Sequence, residues 1–257
     1  MPDFLAARRG DLRPKIELPS LNFLLILLIF AGTGAALAHD LIGGRFPVFV
    51  FVVSGWVVSL CLHEFGHAAT AYYGGDKGIA RTGYLSLDPM RYSDPALSVI
   101  LPIVYVLIGG FGLPGGAVYI RTGMLRSRGW VAIVAAAGPA MNLLFLIALS
   151  LISVAADPDT DLSRGLAALA LFQVTAIIIN LLPIPGLDGF GVLRPFLAPG
   201  IGRRADELGA GLFLVLFLLM WLTPLGRIIL SLSIVFTRMF GFEVMDMIRG
   251  MLMLRLF

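Results

Sequence analysis

Charge is what this sequence has least of. Only 14% of its 257 residues are charged, against 58% that are hydrophobic, whereas soluble domains average roughly 25% charged. A mean hydropathy of +0.93 agrees. That shortage excludes an ordinary soluble enzyme and makes the lipid bilayer the first partner of the chain. Cysteine is nearly missing. Cys61 stands alone, so no intramolecular disulfide can form. Lysine is scarce too, and the net charge of +3 rests on arginines gathered between apolar runs. That is the pattern of membrane topology, not of a nucleic-acid surface. The opening MPDFLAARRGDLRPKIELPS has no cleavage-site pattern after a short apolar core, so no removable signal peptide is expected. Histidine and glutamate are rarer still, three and four in the whole chain. Two of those histidines and one of those glutamates fall within His63-Glu64-Phe65-Gly66-His67, at the end of an uncharged run.

What is abundant is apolar stretches of bilayer length. They run from Leu21 to about Leu37, from Phe46 to about Tyr72, from Trp130 to Val154 and from Gly165 to Leu182. The block from Leu208 to Phe236 is too long for one span and is broken at Thr223-Pro224-Leu225-Gly226, which predicts two shorter helices. The run from Ala96 to Phe111 is short and carries Pro102 and Gly109-Gly110. Arg8, Arg9, Arg13 and Lys15 place the N-terminus in the cytoplasm. Arg81, Arg91, Arg121, Arg126, Arg128, Arg194, Arg203, Arg204, Arg249 and Arg255 are all expected on that side, and the acidic loop after Val154 on the other. Arginine loops flank 96–111 on both sides, so that run is expected to enter and leave by one face. Non-helical backbone at that depth must be buried by protein or water. The expectation is an all-α polytopic membrane protein with about six transmembrane helices and a re-entrant segment. Residues 1–20 form a cytoplasmic segment. Residues 21–257 form one membrane-embedded domain with a core at about 46–193.

A glutamate between two histidines is costly in such a setting unless the groups have partners. On a helix, His63 and His67 are i and i+4 and stack on one face. Glu64 lies about 100° round from His63. Two imidazoles can then hold one metal with a carboxylate beside it. Zinc suits such nitrogen ligands, and a catalytic zinc takes three protein ligands and a water. The third ligand must lie at the same depth. Asp188 fits best, at the cytoplasmic end of the span from Gly165, where Pro183 and Pro185 break the helix and can aim a carboxylate inward. Asp157, Asp159 and Asp161 are on the wrong side. Asp76, Asp88 and Asp94 read as solvated loop residues, and His39 as an interfacial residue. A structural network of buried polar groups is the bland alternative for His63, Glu64 and His67.

HEFGH and the later Asn180-Leu-Leu-Pro-Ile-Pro-Gly-Leu-Asp188-Gly189 together resemble the site-2 protease family of intramembrane zinc metalloproteases. That family pairs an HExxH helix with an NxxPxPxLDG segment. Gly138-Pro139-Ala140-Met141-Asn142 resembles its GPxxN stretch. The resemblance covers about Ser59 to Leu193, and the loop GYLSLDPMRYSDP is similar to that of compact bacterial members without PDZ or CBS domains. It implies one Zn2+ held by His63, His67 and Asp188, with Glu64 as the base that activates a zinc-bound water. It also implies that Asn180 stabilises the substrate or the oxyanion, with helix packing as its alternative role. Asn142 stands evenly between the two. The implied substrate is a single-span membrane protein cut within or next to its transmembrane segment. A family β-sheet in this region suggests a short strand or hairpin near the cytoplasmic face, with Ala117–Ile120 pairing with unwound substrate. A metal-ion transporter or metal-binding protein is the rival reading. It would more usually line a whole pathway with polar groups or show inverted repeats, and neither is evident.

Overall fold

The computed structural model describes residues 18–92 and 119–255, apart from the side chains of 199, 203, 206–211, 213, 214 and 217. Four long apolar helices carry the architecture. They are α1 (Leu21–Ala38), α2 (Arg45–Gly74), α3 (Arg128–Ala155) and α4 (Asp161–Asn180). Each is long and apolar enough to cross a membrane, since about 20 residues rising about 1.5 Å apiece span the hydrocarbon. Hydroxyl side chains start three of them. Ser20, Ser127 and Thr160 accept from the backbone N–H of Phe23, Trp130 and Ser163, filling donors that a helix start leaves open.

Burial separates these helices. Only 11% of the apolar window of α1 is buried, against 78% for α4. α4 is therefore the centre and α1 a lipid-facing flank. A helix apolar on every side belongs inside, and small residues let α4 approach its neighbours. Gly165 leaves room for Phe51 and Val48 of α2, while Gly55 of α2 faces Leu169 of α4 and Phe30 of α1. Away from the His63 end, the core is dry: Phe51, Leu149, Leu166 and Phe172 are among its buried members.

Past α4 come α5 (Asp188–Leu193), α6 (Pro199–Leu222), α7 (Leu225–Met239) and α8 (Val244–Met253). The expected break at Thr223-Pro224 separates α6 from α7. Leu225 and Ile229 at the start of α7 pack with Ile179 and Leu187, at the His63 end of the bundle. Its far end is fixed by Ser150 Oγ, which donates to the Phe240 carbonyl at 2.7 Å. α8 then lies on the start of α4, with Gly250 against the Arg164 carbonyl and Arg249 paired with Asp159.

That path corrects the expected orientation of Arg249. Arg249 sits with Asp159, at the end of the molecule away from His63, not with the arginines that follow α2. The cause is the direction of α7, which leaves the His63 end and does not come back to it. Arginine counting treated Arg249 as a free positive-inside signal, whereas a nearby aspartate neutralises it. α7 is also only 15 residues long, so the count of six spans is not established. The re-entrant segment at 96–111 and residues 117–118 of the expected strand lie outside the described residues. Among the described residues there is no strand, and Tyr119 and Ile120 are irregular.

Candidate metal centre

α2 turns His63, Glu64 and His67 toward α3 and the α4–α5 joint, and all three are buried. Close helix contact makes this possible. A Cβ on Gly66 would lie 2.7 Å from Met141 Cγ and 2.9 Å from the Ala137 carbonyl oxygen, so α2 and α3 touch backbone to backbone there. Gly138 of α3 faces the two imidazoles directly, and a Cβ on it would fall on His63 Nε2 and His67 Nε2. The glycine thus keeps open the space into which both nitrogens point. Pro139 sits inside α3 at the same level.

Asp188 arrives from the other side. α4 ends at Asn180, and Pro183, Pro185 and a left-handed Gly186 at φ +97° turn the chain back. α5 then begins against the last turn of α4. Gly189 has no room for a Cβ there, because it would strike the Leu181 and Leu182 carbonyls. The Asp188 carboxylate lies 3.2 Å from His63 Nε2 through Oδ2 and 3.3 Å from His67 Nε2 through Oδ1. The two Nε2 atoms are 3.1 Å apart.

These separations carry chemical information. Ligand atoms about 2.0–2.1 Å from a tetrahedral zinc lie about 3.3–3.4 Å from one another. Here the two Nε2 atoms are 3.1 Å apart, and each lies 3.2 or 3.3 Å from a different oxygen of the Asp188 carboxylate, so the three side chains converge at the spacing of donors around one ion. The outer nitrogens support the same reading. His67 Nδ1 donates to the Val134 carbonyl at 2.7 Å, and His63 Nδ1 donates to Asn142 Oδ1 at 2.5 Å. With Nδ1 as the donor on each ring, each Nε2 presents a lone pair. Two lone pairs and a carboxylate converging in a buried space call for a cation, and His63, His67 and Asp188 could hold a metal ion. Glu64 lies beside them with Oε2 buried and without a hydrogen-bond partner.

The chain is 44% identical over 215 residues to a protein of Mycolicibacterium smegmatis named "Putative zinc metalloprotease Rip2", covering 81% of this chain and 83% of the relative. A protein of the same name from Mycobacterium tuberculosis is 48% identical over 176 residues, 66% of this chain and 68% of the relative. The chain belongs to the site-2 protease family. A protein of Bacillus subtilis named "Putative zinc metalloprotease YwhC" is 29% identical over 189 residues, 70% of this chain and 84% of its own length. No protein-family model and no solved structure matches the chain. Zinc is the metal that the names of these relatives carry, and the donor set of two imidazoles and a carboxylate suits it.

His63, Glu64, His67 and Asp188 meet. Asn180 is buried in the last turn of α4, at the same end of the bundle. Asn142, which by sequence stands between substrate contact and helix packing, lies against His63 Nδ1. Two expectations about acidic residues are corrected. Asp76 is 1% exposed, not solvated; it accepts from the Arg121 guanidinium at 2.8 Å and from the Arg121 and Gly78 backbone N–H groups. Asp88 is buried as well and accepts from Asn22 Nδ2 at 3.1 Å. Both knit the loop after α2 to its surroundings, and a buried carboxylate survives there because donors surround it. Two residues escaped notice altogether. Ser59 lies one turn before His63 on the same face of α2, and Gln173 is the sole glutamine in the sequence, inside an apolar run. Spacing could have found the first and rarity the second.

Proposed function

We propose that this chain is an intramembrane zinc metalloprotease that hydrolyses peptide bonds within or next to the transmembrane segment of a single-span membrane protein. The observation that carries the reading is the convergence of His63 Nε2, His67 Nε2 and the Asp188 carboxylate in a helix bundle of bilayer length. His63, His67 and Asp188 would hold the ion. Zinc, when bound, supplies Lewis acidity toward a carbonyl oxygen and toward water. Glu64 takes the proton released as water attacks the scissile carbonyl, and returns it to the leaving amine nitrogen. Its buried, unpartnered Oε2 is suited to that task, since no other hydrogen bond competes for it. Asn180 would stabilise the substrate carbonyl or the oxyanion with its amide. Substrate would unwind and add as a strand along residues 117–120 before it is cut. The opening of the site would face the cytoplasm, by the arginines that follow α2 and precede α3.

Glu64→Gln tests the reading. The variant should keep zinc at the wild-type stoichiometry while cleavage of a single-span substrate in detergent or liposomes falls about 10²–10⁴-fold. Cleavage retained at the wild-type rate would contradict it. So would metal flux through proteoliposomes that survives the substitution.

A further inference from the structure

Behind His63 lies a buried polar cluster that the chemistry above does not use. It consists of Asn142 on α3, Ser59 on α2 and Gln173 on α4, which are 5%, 1% and 0% exposed. Asn142 Nδ2 donates to Gln173 Oε1 at 2.9 Å and to Ser59 Oγ at 3.0 Å. Ser59 Oγ donates to the same Gln173 Oε1 at 2.5 Å. Gln173 Nε2 is buried with no partner.

With Gln173 Oε1 as the shared acceptor, the donor count couples the orientations of the cluster. Both hydrogens of the Asn142 amide are taken, so its oxygen has to face His63 Nδ1. An oxygen there accepts only, so Nδ1 carries the proton and Nε2 is left with the lone pair that a metal needs. Were the Asn142 amide turned over, it would present hydrogens to Nδ1. The favoured tautomer would then carry its proton on Nε2, in the ligand position. His67 runs no such risk, because its Nδ1 donates to the Val134 backbone carbonyl, which cannot turn over. The Gln173 amide turns its oxygen to two donors and leaves its own Nε2 bare, although a buried unpaired donor is costly. The opposite orientation would set NH₂ against NH₂ at Asn142.

We propose that Gln173, with Ser59, is a positioning residue for the metal site: it locks the Asn142 amide and so selects the His63 tautomer able to bind zinc. This rests on the reading of His63 as a metal ligand, and the two can be told apart experimentally. Zinc affinity of the purified full-length protein is measured by competition with a chelator, with zinc as the probe. Loss of binding in His63→Ala checks the ligand reading alone.

Gln173→Met should weaken zinc about 10–100-fold, and Gln173→Glu, which keeps an acceptor for both donors, should restore affinity to near wild type. In an Asn142→Asp background both side-chain oxygens are acceptors and nothing can turn over, so Gln173→Met should there cost little. A merely structural role for Gln173 would give the same loss in both backgrounds. If Gln173→Met does not fold, Gln173→Asn carries the same expectation, since it keeps an amide but withdraws the oxygen by one methylene. Unchanged zinc affinity in a folded Gln173 variant, or equal losses in the wild-type and Asn142→Asp backgrounds, would overturn the proposal.

Discussion

The two ends of the bundle are built by different rules. At the far end, α1, α2, α3, α4 and α8 close over a dry core, and charge is confined to the rim. There Arg249 pairs with Asp159, Arg164 with Asp161, and the Gly44 N–H donates to Asp161. At the His63 end, imidazoles, carboxylates, amides and a hydroxyl are buried, and nearly every one has an assigned partner. The difference shows what each end is for. Apolar packing tolerates small shifts at modest cost, while a buried polar site must satisfy its donors and acceptors all at once. Three exceptions at the polar end, Glu64 Oε2, Asp188 Oδ2 and Gln173 Nε2, are where an unmet group has a use.

If the ends differ in this way, substitutions should separate metal binding from stability. Gly138→Ala should have the largest effect at the polar end. Its methyl would occupy the seat between the two Nε2 atoms, so stoichiometric zinc should be lost by metal analysis. Helicity should persist, since alanine favours a helix by about 1 kcal/mol over glycine. Zinc retained in full would break the comparison. At the dry end, Leu166→Ala removes a side chain that is 1% exposed. It should cost about 2–5 kcal/mol of stability by denaturation in detergent, with zinc affinity unchanged in the folded fraction. Arg249→Ala should do least. Its partner Asp159 is 74% exposed, and exposed pairs are worth about 0–1 kcal/mol, so neither zinc content nor cleavage should move. A marked loss of either would show that the two ends are coupled.

How much of this was legible beforehand follows the same division. The long helices were readable from apolar length. Their true starts drift from the expected ones toward Ser127 and Thr160 caps, which the apolar pattern does not mark. His63, Glu64 and His67 were readable because i, i+4 spacing is a local property. Asp188 was readable because prolines and membrane depth narrowed the choice. The direction of α7 was not readable, since it depends on contacts such as Ile229 with Ile179 and Leu187, which join distant parts of the chain. Gln173 and Ser59 were not readable as a pair because they are 114 positions apart. Asp76 and Asp88 misled because loop sequence gives no sign of which donors will surround a carboxylate.

The most direct measurement is the zinc K-edge absorption spectrum of the purified protein in detergent, alone and as Asp188→Asn. Two imidazole shells and light oxygen neighbours at about 2.0–2.1 Å are expected, with loss or weakening of zinc in the variant. A sulfur shell from the lone Cys61, or a spectrum that Asp188→Asn leaves unaltered, would contradict the site assembled from His63, His67 and Asp188.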